Sequence, residues 1–292
     1  MNEFLGIDAG GSNFRIAVID DDENIIYHNS LKGNFNYTSA GNEIINNYFK
    51  KIKKEFNNIK AVSIAMAGIG TKDQKIQLKN IIFNNFQNCK KVNIFTDAEG
   101  SLEANFQSSS GILIICGTGS IVIGKNDNNT CRAGGWGYLL DDEGSGFWFS
   151  KKIVMEYLRY VDGISSNKEI FDLVNEKFNG SPREIISDFY RPEKRNLMAS
   201  LSLDFLKNSN YYIKDLINTS VFHNVQRIKK VKKELKIKKA KVAFMGGMFN
   251  NEFFLDSFKK TLILEIEDAD IIKGITEIEI ELAKNAKKGC EL

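Results

Sequence analysis

Two stretches of this chain share one pattern, and it constrains the fold more than any other feature. GIDAGGSNFRIAVI (Gly6 to Ile19) and IICGTGSIVIG (Ile114 to Gly124) each hold an apolar run, a short glycine-rich turn and a second apolar run. Such a pattern reads as a β-hairpin with a glycine tip. Glycine lacks a β-carbon, so its φ is free and backbone N–H groups can crowd around an anion. A hairpin of this kind occurring twice predicts an internal duplication. A length of 292 residues suits two lobes better than one small domain.

Reading along the chain, Glu23 to Asn29 follows the first hairpin as a third strand. Asn42 to Phe56 carries apolar residues at helical spacing, and Ala61 to Ala67 reads as a buried strand ending in AGIG. Lys75 to Asn85 is a helix, Val92 to Phe95 a strand, and TDAEGSLEANF a helix with Asp97 near its start. After the second hairpin come helices over 147–161, 168–178, 182–190, 197–206 and 212–235. A strand at Val242 to Met245 then leads through GGMFNN into a further helix, and Glu277 to Lys287 closes the chain, placed to pack back on the first lobe. The pattern alternates strands and helices, an α/β class. Without a Pro, Gly or Ser tether, the lobe boundary falls within a helix near Ala104 to Ser110.

Composition excludes several classes. A net charge of +3 demands no polyanionic partner, so nucleic acid is not expected. No apolar run reaches about 18 residues, so no membrane span is expected. The four cysteines are scattered without a C-x-x-C pair, which argues against a zinc or iron–sulfur site and for a reducing, cytoplasmic setting. Neither a Rossmann G-x-G-x-x-G nor a Walker GxxxxGK[ST] occurs. Nine Lys or Arg residues crowd Arg227 to Lys241, with Glu234 the only acid. Ile228, Val231, Leu235 and Ile237 give that helix an inward stripe, so the basic run reads as a solvated face.

The remaining motifs carry the chemistry. DAGGSN (Asp8 to Asn13) is either a plain Gly-Gly turn or a phosphate grip with Asp8 beside a hydrated Mg²⁺. Asp97 follows a strand end, where ligand sites of α/β sheets gather. Alone it is an ordinary helix cap, whereas beside the glycine turns it reads as a general base. GTGS (Gly117 to Ser120) is the second phosphate turn. GGWGYLLDDEGSG (Gly134 to Gly146) holds five glycines, Trp136 and the pair Asp142-Glu143. A flat apolar face with carboxylate acceptors suits a polyhydroxyl ligand, and so many glycines are costly in a merely structural loop. His28 and His223 show no partner spacing and read as structural.

The ordered set DAGGS, AGIG, TDAEGS, GTGS, GGWGYLLDDEGSGFW and GGMFNN resembles the N-acetylglucosamine kinase branch of the sugar kinase/heat-shock-70/actin superfamily. It is also similar to the wider ATPase group that includes the BadF and BadG proteins and the activators of 2-hydroxyacyl-CoA dehydratases. The likeness spans nearly the whole chain. It implies two ribonuclease-H-like, actin-like ATPase lobes with a cleft between them: residues 1–107 with 277–292 as the N-terminal lobe, and 108–276 as the C-terminal one. It implies Asp97 as catalytic base, and Gly10, Gly11, Ser12 and Asn13 with Gly117, Thr118 and Gly119 on the phosphates of ATP. Asp8 would hold Mg²⁺ through water, and Gly246, Gly247 and Asn250 would lie by the adenosine. Gly68, Gly135, Trp136 and Asp142, with Asp97, would face the sugar. The chain departs from the resemblance at Asp141, where GDEG is usual, at Ala67 and in the charged Lys273 to Glu279.

The function expected is ATP-dependent phosphorylation of N-acetylglucosamine, at its 6-hydroxyl, or of a close amino sugar. N-acetylmuramic acid and glucosamine are alternatives, a homodimer is allowed, and a dehydratase-activating ATPase or a non-catalytic sugar sensor are the rivals of another class.

Overall fold

The computed structural model describes every residue except Gly11, Ser12, Asn34, Asn179 and Leu292. The chain divides into two units, Met1–Ser108 with Ile275–Leu292, and Ser109–Gly274. Among the described residues each unit is built on one five-stranded sheet.

In the first unit β1 (Glu3–Ala9), β2 (Asn13–Ile19) and β3 (Ile25–Lys32) form an antiparallel meander. Helix α1 (Tyr37–Glu55) crosses to β4 (Ile59–Met66), parallel to β1, and α2 (Lys72–Asn85) crosses to β5 (Lys91–Thr96), parallel to β4. The strand order is β3-β2-β1-β4-β5. Strand alternation divides the side chains between two faces. Leu5, Ile7, Val62 and Ile64 pack under Ile45, Phe49, Leu78 and Ile82 of the crossover helices. Phe4, Ala17 and Ala61 meet Ile280, Ala283 and Ala286 of the C-terminal helix, Ile278–Glu291. That closing helix therefore does return to the first sheet.

Helix starts follow local chemistry. Asn36 caps α1, taking the Thr38 N–H on its side-chain oxygen at 3.0 Å. The helix opens five residues earlier than the apolar stripe suggests, and Gly41 at φ 73° kinks it where that stripe begins. Capping boxes start α2 (Thr71 with Gln74) and α3 (Asp97–Phe106; Thr96 with Glu99).

The second unit repeats the plan. Strands β6 (Gly111–Cys116), β7 (Ser120–Asn126) and β8 (Asn129–Gly134) form the meander. A helical stretch follows: α4 (Gly146–Val161), α5 (Lys168–Lys177), α6 (Pro182–Phe189), α7 (Arg195–Phe205) and α8 (Tyr211–Glu234). Strand β9 (Lys241–Met245) runs parallel to β6, and α9 (Glu252–Glu265) leads to β10 (Asp270–Lys273), parallel to β9. The order β10-β9-β6-β7-β8 is that of the first sheet, three antiparallel strands followed by two parallel ones. Sequence periodicity missed β8 and β10, because both are polar edge strands with little buried surface. Ile228, Val231, Leu235 and Ile237 are buried as expected.

Gly6 sets the distance between β1 and the C-terminal helix. A β-carbon there would lie 1.9 Å from the Glu279 carbonyl oxygen and 2.3 Å from the Ala283 nitrogen. Both are backbone atoms and cannot swing away. Gly6→Ala should therefore cost about 2–3 kcal/mol, at the upper end of overpacking penalties. Gly70, with nothing within 4 Å of its ideal β-carbon, is the control, and Gly70→Ala should stay within about 0.5 kcal/mol. Urea unfolding of the two variants checks this. Equal midpoints would show that the helix seat is soft.

Candidate active site

In the first unit the parallel strands end level with one another: Ala9 pairs with Met66 and Met66 with Thr96. Asp8, Gly68 and Asp97 thus share the carboxyl edge of the sheet, where ligands of open α/β sheets bind. The cap of α3 is Thr96, not Asp97. Asp97 is exposed at the first helical position, its Oδ1 accepting, among the described residues, from the Ala98 N–H alone, at 3.0 Å. Among the described residues its Oδ2 accepts no hydrogen bond.

Asp8 is enclosed. Its Oδ2 lies 3.5 Å from Nη1 of Arg15, its cross-strand partner. Burial pushes the Asp8 carboxyl up to about 6, with Arg15 opposing and the charges of Glu279 and Asp97 adding. Glu279 is 1% exposed and meets His28 Nε2 at 2.7 Å. Gly10 closes the β1–β2 turn, its N–H donating to the Asn13 carbonyl at 2.8 Å. Gly11 and Ser12 lie outside the described residues. Gly68 adopts φ 77° against the Asn36 side chain, whose Oδ1 would be 2.1 Å from a β-carbon. Only glycine fits there.

The carboxyl edge of the second sheet gathers another set. Ile115 of β6 pairs with Met245 of β9, so the turns that follow are neighbours. Gly246, at φ 105°, presses on the Cys116 carbonyl, 2.2 Å from its would-be β-carbon. Gly247 follows it in the 3₁₀ turn Gly247–Asn250, where Asn250 is exposed and Asn251 caps α9. The Gly117 N–H donates to the Gly119 carbonyl at 2.9 Å, and the Gly117 carbonyl accepts from Gly146 at 2.8 Å. Thr118 lies half-buried at the tip.

The acidic run beside this turn splits by function. Asp142 is 3% exposed and held at φ 62°, a strained value for a residue with a β-carbon. Its Oδ1 accepts from the Gly137 N–H at 3.3 Å. Its Oδ2 stands 2.8 Å from where a Gly119 β-carbon would be. Burial pushes this carboxyl above the usual range, with the Gly137 amide and the Arg195 guanidinium pulling it back. Asp141 and Glu143 instead grip Arg227 Nη2 at 2.5 and 3.2 Å. Asn224 and Ser120 both donate to the Glu143 carbonyl, and His223 meets Glu143 Oε2 at 3.0 Å. Gly135 lies at φ 72° against Ile121. Trp136 is 71% exposed, with the Arg132 guanidinium 4.2 Å above its ring.

A model of one family matches residues 5–278, nearly the whole chain. The chain belongs to the BadF/BadG/BcrA/BcrD ATPase family. The chain is similar to a Clostridium acetobutylicum protein named N-acetylmuramic acid/N-acetylglucosamine kinase, 27% identical over 93% of this chain and 94% of that one. A Dictyostelium discoideum N-acetyl-D-glucosamine kinase is 25% identical over 98% of each chain. A solved Porphyromonas gingivalis structure with the provisional name N-acetylglucosamine kinase superposes at TM-score 0.73 and 18% identity, covering 98% of this chain and 99% of that one. That last likeness speaks for the α/β fold.

Sequence motifs in this family member did not point to Arg15, Glu279, Arg195, Arg227 or Asn224. Glu279, Arg195, Arg227 and Asn224 come from helices remote in sequence from the motifs they touch, Arg15 faces Asp8 through the register of the first hairpin, and a lone charged residue carries no local signal. Among the described residues no helix is long and apolar enough to cross a membrane.

Asp8 yields a test of sign. Its folded pKa of about 6 exceeds the usual carboxylate value of 3.8. The native state therefore binds more protons than the unfolded chain between those values, and Asp8 lowers stability as pH rises through them. Asp8→Asn should match wild type near pH 4 and exceed it at pH 7, by on the order of 3 kcal/mol, the opposing pull of Arg15 being already contained in the shift. Thermal melts at the two pH values measure this. A variant less stable than wild type at pH 7 would show that the Arg15 pair dominates.

Proposed function

We propose that the chain is an ATP-dependent kinase that phosphorylates N-acetylglucosamine, at its 6-hydroxyl, or a closely related amino sugar. One observation carries the assignment of the base: the exposed Asp97 carboxylate, relieved of capping by Thr96, at the strand edge it shares with Asp8. Two relatives of nearly equal length, both named as kinases of this sugar class, support the substrate.

In this reading Asp97 accepts the proton of the sugar hydroxyl as its oxygen attacks the γ-phosphorus. The turns at Gly10 to Asn13 and Gly117 to Gly119 hold the phosphates with backbone N–H groups other than those of Gly10 and Gly117, which the Asn13 and Gly119 carbonyls already accept. Gly246, Gly247 and Asn250 lie by the adenosine. Gly68, Gly135, Trp136 and Asp142 bind the sugar, with Asp142 accepting from a hydroxyl.

Mg²⁺ fits the donors present. Asp8 is a carboxylate already raised by burial and by two neighbouring acids, a charge a cation relieves. Mg²⁺ needs only one or two carboxylates, since waters and substrate phosphates complete its octahedron. Asp8 would hold it through water, and the ion would neutralise charge on the β- and γ-phosphates.

A second reading has its own support: the dual name of the Clostridium relative makes N-acetylmuramic acid the leading alternative acceptor. A coupled ADP assay across amino sugars separates the two. Asp97→Asn should keep the wild-type melting temperature and lower kcat by about 10²-fold or more. Near-wild-type turnover in that variant would remove Asp97 from the chemistry.

A further inference from the structure

Arg195 opens α7, far in sequence from every glycine motif. Its Nη2 nevertheless lies 3.4 Å from where a Gly119 β-carbon would be. The guanidinium sits 4.7 Å over the Tyr138 ring, which fixes its plane. Its nearest charge is the Asp142 carboxylate, at 3.9 Å, beyond hydrogen-bond reach. Arg195 Nε is buried and has no acceptor among the described residues. The side chain is still 37% exposed. The guanidinium is thus oriented and partly exposed, and among the described residues its Nε is left without an acceptor.

The second observation is the place of Asp142. Its carboxylate stands against the same glycine, 3% exposed. Left alone, a buried carboxylate would repel any anion that approached the turn. A guanidinium on that spot cancels the repulsion and offers a planar fork suited to paired oxygens.

We propose that Arg195 binds an oxyanion of the substrates at the Gly117–Gly119 turn. This deepens the kinase reading and rests on it for the anion's source. Two sources share the chemistry: a phosphate of the nucleotide, or the carboxylate that the lactyl ether of N-acetylmuramic acid adds to a neutral amino sugar.

Calorimetric titration of wild type, Arg195→Gln and Arg195→Lys with ADP, N-acetylglucosamine and N-acetylmuramic acid decides it. Arg195→Gln should weaken an anionic titrant by about tenfold or more while the neutral sugar moves less than about threefold. Arg195→Lys, which keeps the charge and loses the fork, should recover part of the loss. It also keeps the test open should the Gln variant fail to fold. A loss on ADP assigns the phosphate, and a loss confined to N-acetylmuramic acid assigns the carboxylate. The proposal is overturned if both anions bind Arg195→Gln as tightly as wild type. It is equally overturned if the neutral sugar is lost in step with them. Wild-type protein that binds ADP but neither sugar would sink the amino-sugar reading, and the ADP arm would still judge Arg195.

Discussion

Backbone approach too close for a side chain is the constraint on which both units depend. In the first, the C-terminal helix reaches β1 only because Gly6 presents a hydrogen to the Glu279 carbonyl. In the second, the turn after β9 reaches the end of β6 only because Gly246 does the same for Cys116. Gly100 of α3, whose β-carbon would lie 2.2 Å from that of Ala65, seats the helix that presents Asp97. Glycine carries an entropic cost, and these positions justify it by bringing strand ends, turns and helix starts together at one edge of each sheet.

Charge is handled differently at the two edges. The first unit concentrates carboxylates: Asp8 feels Asp97 and Glu279, with Arg15 as its opposing cation. Burial and these neighbouring acids together push the Asp8 carboxyl up, against the pull of Arg15. The second unit compensates its acids internally. Arg227 takes Asp141 and Glu143, and Arg195 faces Asp142. Breaking a partly buried network of this kind strands an unpaired charge, so the clamp from α8 holds the loop that carries Asp142 in its strained backbone state.

Similar plans thus serve different electrostatic tasks. The meander and the two parallel strands recur, as a duplicated hairpin would lead one to expect. The helical stretch α4 to α7 belongs to the second unit alone, and it delivers Arg195 to the glycine turn.

Much of this was legible in the chain itself. Apolar periodicity located both hairpins and most helices, because burial on one face leaves a local imprint of period two or 3.6. Glycine turns and Asp97 stood out because backbone freedom and strand-end position are local properties. Other features were not legible, for the same reason. The polar edge strands β8 and β10 bury too little to leave a pattern. That Thr96 rather than Asp97 caps α3 depends on which side chain reaches the Glu99 N–H. The division of Asp141, Asp142 and Glu143 into two clamping acids and one buried at the turn required α7 and α8 to be in place. Sequence determines what each segment can form; which distant charges meet is decided only when packing brings the segments within a few ångströms, since Coulombic partners are chosen by distance in space.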